Sequence, residues 1–210
     1  RNGGMIMEEL INEIIALEWA FFDKVQNEGG RAPCQDDFRT FRAMRASQYE
    51  AWDEATLSSW RGDLTAARAA GRNPLAEKYG YMMCIDAPEE NRTLAAQLPP
   101  VTEEKLALAR AVVKKLAPQN EAFAARYPLV ASRARPLHSG EGDGGETSIE
   151  TYQLGELLTY SEKTLRLLSA RIAELEAAGV SYAELIIENG LKRRGFRGLD
   201  DAEKFLEARR

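Results

Sequence analysis

The sequence contains few of the residues that build disulfide frameworks or histidine-based metal sites. It has two cysteines and one histidine in 210 residues. Cys34 and Cys84 form no Cys-x-x-Cys pair, and a carboxylate-bridged di-iron bundle would need histidines on two helices. Low cysteine use is typical of proteins from a reducing compartment, so we expect a cytoplasmic location and assign no metal ligands.

Long apolar runs and an excess of positive charge are also missing. No hydrophobic stretch approaches the roughly 20 residues that a membrane-spanning helix needs. The formal net charge is −5, and both nucleic acids and anionic membranes are bound through basic surfaces. We therefore expect neither as a partner. The tightest basic cluster fits either a phosphate or partner site or a solvated helix end, and it contains Lys192, Arg193, Arg194 and Arg197.

Helical periodicity runs through most of the chain. Residues 5–27 and 147–178 both repeat apolar residues at steps of three and four, and the second range predicts the longest helix. Pro118 should break or kink the helix that begins near Glu103. No stretch alternates as a strand would. The pattern predicts an all-α, single-domain bundle of about seven or eight helices over residues 5–210, with residues 1–4 as a cloning scar.

Two polar residues break the apolar stripes of the first two helices. Glu18 lies one turn from apolar residues on both sides, so we expect it to be largely buried and to need a partner. Arg45, one turn before Tyr49 and close to Gln48, is the natural partner. The two side chains form either a structural ion pair or part of a ligand site. The four apolar neighbours of Glu18 are Ile14, Ile15, Phe21 and Phe22.

A polar face accompanies the leucine stripe of the helix predicted over residues 147–178. Tyr152, Glu156, Tyr160 and Lys163 follow one another at steps of four, four and three. If this face is exposed, it is an ordinary solvated stripe. If it faces inward, it offers phenols, a carboxylate and an ammonium group to a small polar molecule.

The single histidine, His138, lies between two arginines and a glycine-rich segment. An unperturbed histidine can transfer protons near neutral pH, and Arg133 and Arg135 could hold an anion. A packing role for His138 is the alternative. The spacing Arg133-x4-His138 also matches the loose pattern of helical HEPN-type ribonucleases. Ser139 follows as a further candidate ligand contact.

The segment from Gly29 to Asp37 is the other irregular region. Its glycines, Arg31 and a helix N-terminus could cradle an anion, although Asp36 and Asp37 would repel one and fit better as helix caps. Scattered carboxylates could instead hold Mg²⁺ or Ca²⁺, from the set Glu18, Asp36, Asp37 and Glu156. The sequence has no metalloprotease, EF-hand, P-loop or nucleophile-elbow motif, and it leaves the identity of any cofactor unknown.

Several segments together resemble a bacterial family catalogued as domain of unknown function four-one-two-five. They are LEW at 17–19, GGRA at 29–32, CQDD at 34–37, MR at 44–45, SQ at 47–48, EKY at 77–79, MM at 82–83, RPLHS at 135–139, ETY at 150–152, GEL at 155–157 and YSE at 160–162. The resemblance covers nearly the whole chain. It implies a bacterial, cytoplasmic protein and no particular activity.

The residues that break the helical pattern fall within these same segments, which favours a shared site. Our first hypothesis is a pocket between helices for a small polar or anionic molecule, in an enzyme or a binding protein. We expect residues 135–139 to fold over Glu18 and Arg45 and complete it. The catalytic candidates are His138, Glu156 and Glu18, and the candidate ligand contacts are Arg31, Arg45, Gln48, Arg135, Ser139, Tyr152 and Tyr160.

Two other hypotheses stay open at this point. The protein could be a helical interaction module whose buried polar residues are structural, or a HEPN-like ribonuclease. The sequence leaves the oligomeric state undecided.

Overall fold

A computed structural model describes residues 2–27, 29–138 and 147–210. Within these ranges the chain forms eleven α-helices and one short 3-10 helix, Pro33–Asp36, with no strand. The helices are α1 (Asn2–Phe22), α2 (Phe38–Tyr49), α3 (Glu54–Ala69), α4 (Pro74–Asp86), α5 (Arg92–Gln97), α6 (Glu103–Arg126), α7 (Pro128–Ala131), α8 (Ile149–Leu157), α9 (Glu162–Ala177), α10 (Tyr182–Arg193) and α11 (Leu199–Glu207).

The all-α prediction is confirmed, whereas the predicted seven or eight helices are too few. The helix predicted over residues 147–178 is two helices, because α8 ends at Leu157 and Ser161 caps α9 by accepting a hydrogen bond from the Thr164 amide. Asp63 on α3 accepts hydrogen bonds from the Ser161 amide and the Thr164 hydroxyl, at 2.9 and 2.7 Å. This tertiary contact stabilises the break.

The longest helix in the described ranges is α6, with 24 residues, and Pro118 lies inside it. The helix therefore does not break at Pro118, and the alternative of a kink stays a prediction. Capping side chains are present at the start of several helices. Asp37, Asn73, Ser148 and Ser181 each accept a hydrogen bond from a first-turn amide of the helix that follows.

Two groups of buried apolar side chains hold the helices together. The larger group contains core residues from α1, α2, α3, α4, α6, α8, α9 and α10, including Ile14, Trp60 and Leu165. The smaller group joins the end of α6 to α10 and α11, through Phe123 and Leu191 among others. No helix in the described ranges is both long and apolar enough to cross a membrane.

Helix α8 lies close against α4 because Gly155 has no side chain. A Cβ atom built on Gly155 would lie 2.5 Å from the Cγ atom of Met82 and 3.1 Å from the carbonyl oxygen of Lys78. Any larger residue would push the two helices apart. The glycine thus allows Glu156, the next residue along α8, to approach Lys78.

Candidate functional site

Glu18 and Arg45 form the central ion pair of the molecule. The Nε and Nη2 atoms of Arg45 donate to the two carboxylate oxygens of Glu18, each at 2.9 Å. Glu18 is 0% exposed and Arg45 8% exposed. Such a two-pronged pair is among the strongest hydrogen-bonded arrangements in proteins. The predicted burial of Glu18 and its predicted pairing with Arg45 are both confirmed.

Two aromatic donors that the sequence did not single out complete the surroundings of Glu18. The hydroxyl of Tyr49 donates to its Oε1 atom, and the Nε1 atom of Trp60 lies 3.2 Å from the same oxygen. Burial and the nearby carboxylates raise the pKa of Tyr49 well above its ordinary value, so this phenol stays neutral. Each oxygen of the buried carboxylate is therefore hydrogen-bonded.

The same arginine also binds Glu156 on α8. Arg45 Nη2 donates to Glu156 Oε1 at 2.6 Å, and the Tyr160 hydroxyl donates to that oxygen at 3.1 Å. The Nζ atom of Lys78 lies 3.7 Å from the other oxygen. Burial acts to raise the pKa of Glu156, but the charges of Arg45 and Lys78 outweigh it and lower the pKa to about 2.

Lys78 is the main residue of this cluster that the sequence analysis missed. Its Nζ atom donates to the Tyr152 hydroxyl at 2.6 Å and lies 3.9 Å from the centre of that ring. Burial acts to lower the pKa of Lys78, yet Glu156 raises it overall, so the amine stays charged. The sequence did indicate that Lys78 would be buried, because Leu75, Tyr81 and Met82 surround it at helical spacing, as apolar residues surround Glu18.

These residues form a closed, electrically balanced group, which we call the buried ion cluster. It contains two carboxylates and two cations, and Gln48 links Arg45 to Tyr160 through hydrogen bonds of 3.2 and 3.4 Å. Its members are Glu18, Arg45, Gln48, Tyr49, Trp60, Lys78, Tyr152, Glu156 and Tyr160. Burying these charges is tolerated because they neutralise one another.

The cluster is poorly suited to proton transfer. A general acid or base works best when its pKa lies near the working pH. With a pKa of about 2, Glu156 stays ionised at neutral pH and has no proton to donate. Glu18 is fully buried, and its oxygens are occupied by Arg45, Tyr49 and Trp60. These contacts argue against catalytic roles for the two carboxylates.

Beside the cluster lies a cavity of about 460 Å³, which we call the outer cavity. It lies between α2, α6, α8, α10 and α11, and most of its wall is apolar. Arg45, Arg133 and Arg194 line it, and no Asp or Glu is among its described lining residues. Arg133 and Arg194 are exposed, and their guanidinium groups have no hydrogen bond or ion pair with the described residues.

A second cavity of about 200 Å³, the inner cavity, lies between α6, α8, α9 and α10. Gln48, Tyr152 and Ile186 line both cavities and therefore form the boundary between them. The inner wall is largely apolar, and its residues with polar groups are Gln48, Arg135, Tyr152, Gln153, Glu156, Tyr160 and Tyr182. Within the described residues the buried Oε1 atom of Gln153 has no hydrogen-bond partner.

The segment carrying His138 approaches the site only in part. The guanidinium of Arg135 lies 5.1 Å from the centre of the Tyr152 ring and lines the inner cavity. His138 instead contacts two other carboxylates, with Nδ1 3.1 Å from Glu150 and Nε2 3.4 Å from Glu121. Ser139 lies outside the described residues. The catalytic role of His138 stays a prediction.

Two further residues of the predicted polar site lie away from the cluster in the structure. Arg31 binds Asp23 and Asp36 at 2.6 and 2.9 Å and donates to the Gln35 carbonyl, so it ties its own loop together. Lys163 is exposed on α9, because the helix break after α8 removes it from the predicted polar face.

The carboxylates considered for Mg²⁺ or Ca²⁺ have other partners in the structure. Glu18 and Glu156 bind Arg45, Asp36 binds Arg31, and Asp37 caps α2. In the part of the chain that the structure describes, no three His, Cys, Asp or Glu side chains are arranged to hold a metal ion.

The fold and the site define a class of protein: a helical bundle with an apolar, arginine-lined cavity built against a buried ion cluster. The family model described as Protein of unknown function (DUF4125) matches residues 8–204, and the chain therefore belongs to this family. No curated protein and no solved structure matches the chain.

Proposed function

We propose that the protein binds a small amphipathic anion in the outer cavity, with an apolar body against the helices and a carboxylate or phosphate head at the arginines. The observation that carries this proposal is the pair Arg133 and Arg194. Both arginines line a mainly apolar cavity, and neither forms an ion pair with any described residue. A planar guanidinium matches the oxygens of a carboxylate or phosphate.

The size and composition of the cavity support a ligand of this kind. Its volume of about 460 Å³ lies in the range of roughly 300–1,000 Å³ that is usual for small-molecule sites. Arg45 lines the same cavity, but its charge is already compensated by Glu18 and Glu156. The head group of the ligand is therefore recognised by Arg133 and Arg194, and its body by apolar side chains such as Phe123 and Leu191.

The buried ion cluster has a structural role in this proposal. Its closed hydrogen bonding agrees with the structural interpretation of Glu18 and Arg45, while the adjoining cavity provides the binding site. The residues thus divide into a scaffold and a site. The proposal also includes a bacterial cytoplasmic location, which agrees with two free cysteines in the reduced state.

The test is calorimetric titration of the full chain with decanoate, decyl phosphate and uncharged decanol. We expect both anions to bind more tightly than decanol, and the better anion identifies the head group. In the double variant Arg133→Ala/Arg194→Ala, anion affinity should fall at least about tenfold, which corresponds to about 1.4 kcal/mol. The matched control is Arg68→Ala/Arg110→Ala, which removes two exposed helix arginines that line neither cavity.

Equal affinity for decanol and the anions would overturn the proposal, and so would equal losses in the two double variants. Native mass spectrometry of freshly purified protein gives independent support. A retained small acid should be present in the wild type and absent from the Arg133→Ala/Arg194→Ala variant.

A further inference from the structure

We propose that the head group of the ligand carries two linked phosphate groups, and that Arg39 binds the second of them in a groove that adjoins the outer cavity. This inference rests on the proposed function and specifies its ligand class. The arrangement that carries it is a groove lined by two arginines, Arg39 on α2 and Arg194 directly after α10, that form no ion pair with the described residues.

A third cavity, which we call the polar groove, lies between α2 and the end of α10 and has a volume of about 640 Å³. Four residues line both this groove and the outer cavity, so the two spaces adjoin; they are Met44, Ser47, Gly190 and Arg194. The outer cavity is mainly apolar, whereas the lining of the polar groove includes three arginines and a threonine. A ligand whose chain occupies the outer cavity can therefore extend its polar end into the groove.

The basic cluster near the end of α10 supplies one arginine for this site. Three of its four members are already paired with carboxylates, as Lys192–Glu188 at 2.6 Å, Arg193–Glu50 and Arg197–Asp201 at 3.1 Å. Arg194 is exposed, and its side chain forms no hydrogen bond or ion pair with the described residues. Its charge is therefore available to a ligand, and it is the member of the cluster that lines both the outer cavity and the polar groove.

Arg39 supplies the second available charge in the polar groove. It is exposed, and its side chain likewise forms no hydrogen bond or ion pair with the described residues. Asp37 is the one carboxylate among the described lining residues of the groove, and it caps α2 by accepting a hydrogen bond from the Thr40 amide at 3.0 Å. The two available guanidinium groups thus outnumber this carboxylate, and the groove favours an anion.

The position of Arg194 explains why one head group should engage both spaces. Arg194 lines both, whereas Arg133 lines the outer cavity alone and Arg39 the polar groove alone. Guanidinium groups bind phosphate oxygens through paired, charge-assisted hydrogen bonds. A diphosphate has one phosphate for each side of Arg194, so that the first lies at Arg133 and the second at Arg39.

The experiment compares decyl phosphate with decyl diphosphate by calorimetric titration of the full chain. We expect the wild type to bind the diphosphate about tenfold more tightly, because the second phosphate adds charge-assisted hydrogen bonds to Arg39. In Arg39→Ala this preference should disappear. The matched control is Arg42→Ala, which removes an exposed arginine of the same helix that lines none of the three cavities, and it should keep the preference.

The outcomes separate this inference from the proposed function. If the wild type shows no preference for the diphosphate, or if Arg39→Ala and Arg42→Ala change the preference equally, the second phosphate site is disproved. The anion site of the proposed function still stands if decyl phosphate or decanoate binds with the expected dependence on Arg133 and Arg194. If neither phosphate compound binds, this inference is disproved, and the titration with decanoate decides the proposed function. The wild-type comparison needs no variant, so the test does not depend on the folding of Arg39→Ala.

Discussion

Arg45 and Glu156 are 111 positions apart in the sequence, and a hydrogen bond of 2.6 Å joins them in the folded protein. The bond links α2 to α8, while the same guanidinium holds Glu18 on α1. One side chain, which also lines the outer cavity, thus connects three helices. The stability of this connection and the shape of the binding site should therefore change together.

Replacing Glu18 with alanine should lower the free energy of unfolding by roughly 3 kcal/mol, because Arg45 loses one of two buried counter-charges. Urea unfolding followed by circular dichroism measures the change. Glu9→Ala removes an exposed carboxylate from the same helix and should cost less than about 0.5 kcal/mol. Equal effects in the two variants would show that the Glu18–Arg45 pair does not stabilise the fold.

Replacing Lys78 with methionine should lower the free energy of unfolding by up to about 3 kcal/mol, since Glu156 loses one of its two cations. The pKa of Glu156 should also rise, because the positive charge of Lys78 helps to lower it. Denaturant unfolding measures the first effect, and carboxyl NMR titration the second. Lys114→Met, at an exposed position on α6, is the control, and a Glu156 pKa unchanged by Lys78→Met would contradict the prediction.

Stability should fall as the pH is lowered from about 4.5 toward 2. The folded protein lowers the pKa of Glu156 from its ordinary value of 4.5 to about 2. A lowered carboxyl pKa contributes stability that is fully present above 4.5 and is lost as the pH falls through the folded value. At about 1.4 kcal/mol per tenfold change in proton affinity, the contribution is about 3 kcal/mol.

Urea unfolding at a series of acidic pH values measures this loss. In the Glu156→Gln variant the decrease over the same interval should be smaller by about 3 kcal/mol, because the titrating group is gone. Asp37 and Asp201 also have lowered pKa values, so the wild-type decrease alone is not diagnostic. Identical pH profiles for the variant and the wild type would show that Glu156 is not the responsible group.

Replacing Gly155 with alanine should destabilise the protein by about 1–3 kcal/mol, since the added methyl group overlaps Met82 and crowds the Lys78 carbonyl oxygen. Adding Met82→Ala should recover part of the loss. Gly62 on α3 is the matched control, because a Cβ atom there has nothing within 4 Å. Gly62→Ala should stabilise the helix by about 0.5–1 kcal/mol. Thermal melts of the three variants measure these changes, and a neutral Gly155→Ala would contradict the close α4–α8 contact.

Local sequence patterns were sufficient for the features that depend on near neighbours. Helical periodicity predicted the fold class, and the predicted cap Asp37 marked a helix start. Glu18 stood out because four apolar residues surround it within one helical turn, and its burial followed. The prediction of one domain over residues 5–210 and the assignment of an interaction or ribonuclease role remain untested.

Other features depended on contacts between residues far apart in the chain. The end of α8 and the start of α9 are held by Asp63, about 100 positions away, so periodicity alone merged the two helices. Lys78 meets Tyr152 across 74 positions, and its own helix does not indicate that partner. A local pattern shows that a side chain will be buried, whereas the packing of other helices decides what it meets.

By itself, the sequence determined that the chain is helical and that Glu18 must be buried beside a basic or phenolic partner, because a residue's helical neighbours lie within four positions of it. Only the tertiary structure decided that Arg45 would serve two carboxylates, that Lys78 would complete the charge balance, and that cavities would remain beside them. A cavity is space that helices from distant parts of the chain leave unfilled. Its size and lining therefore follow from how those helices pack.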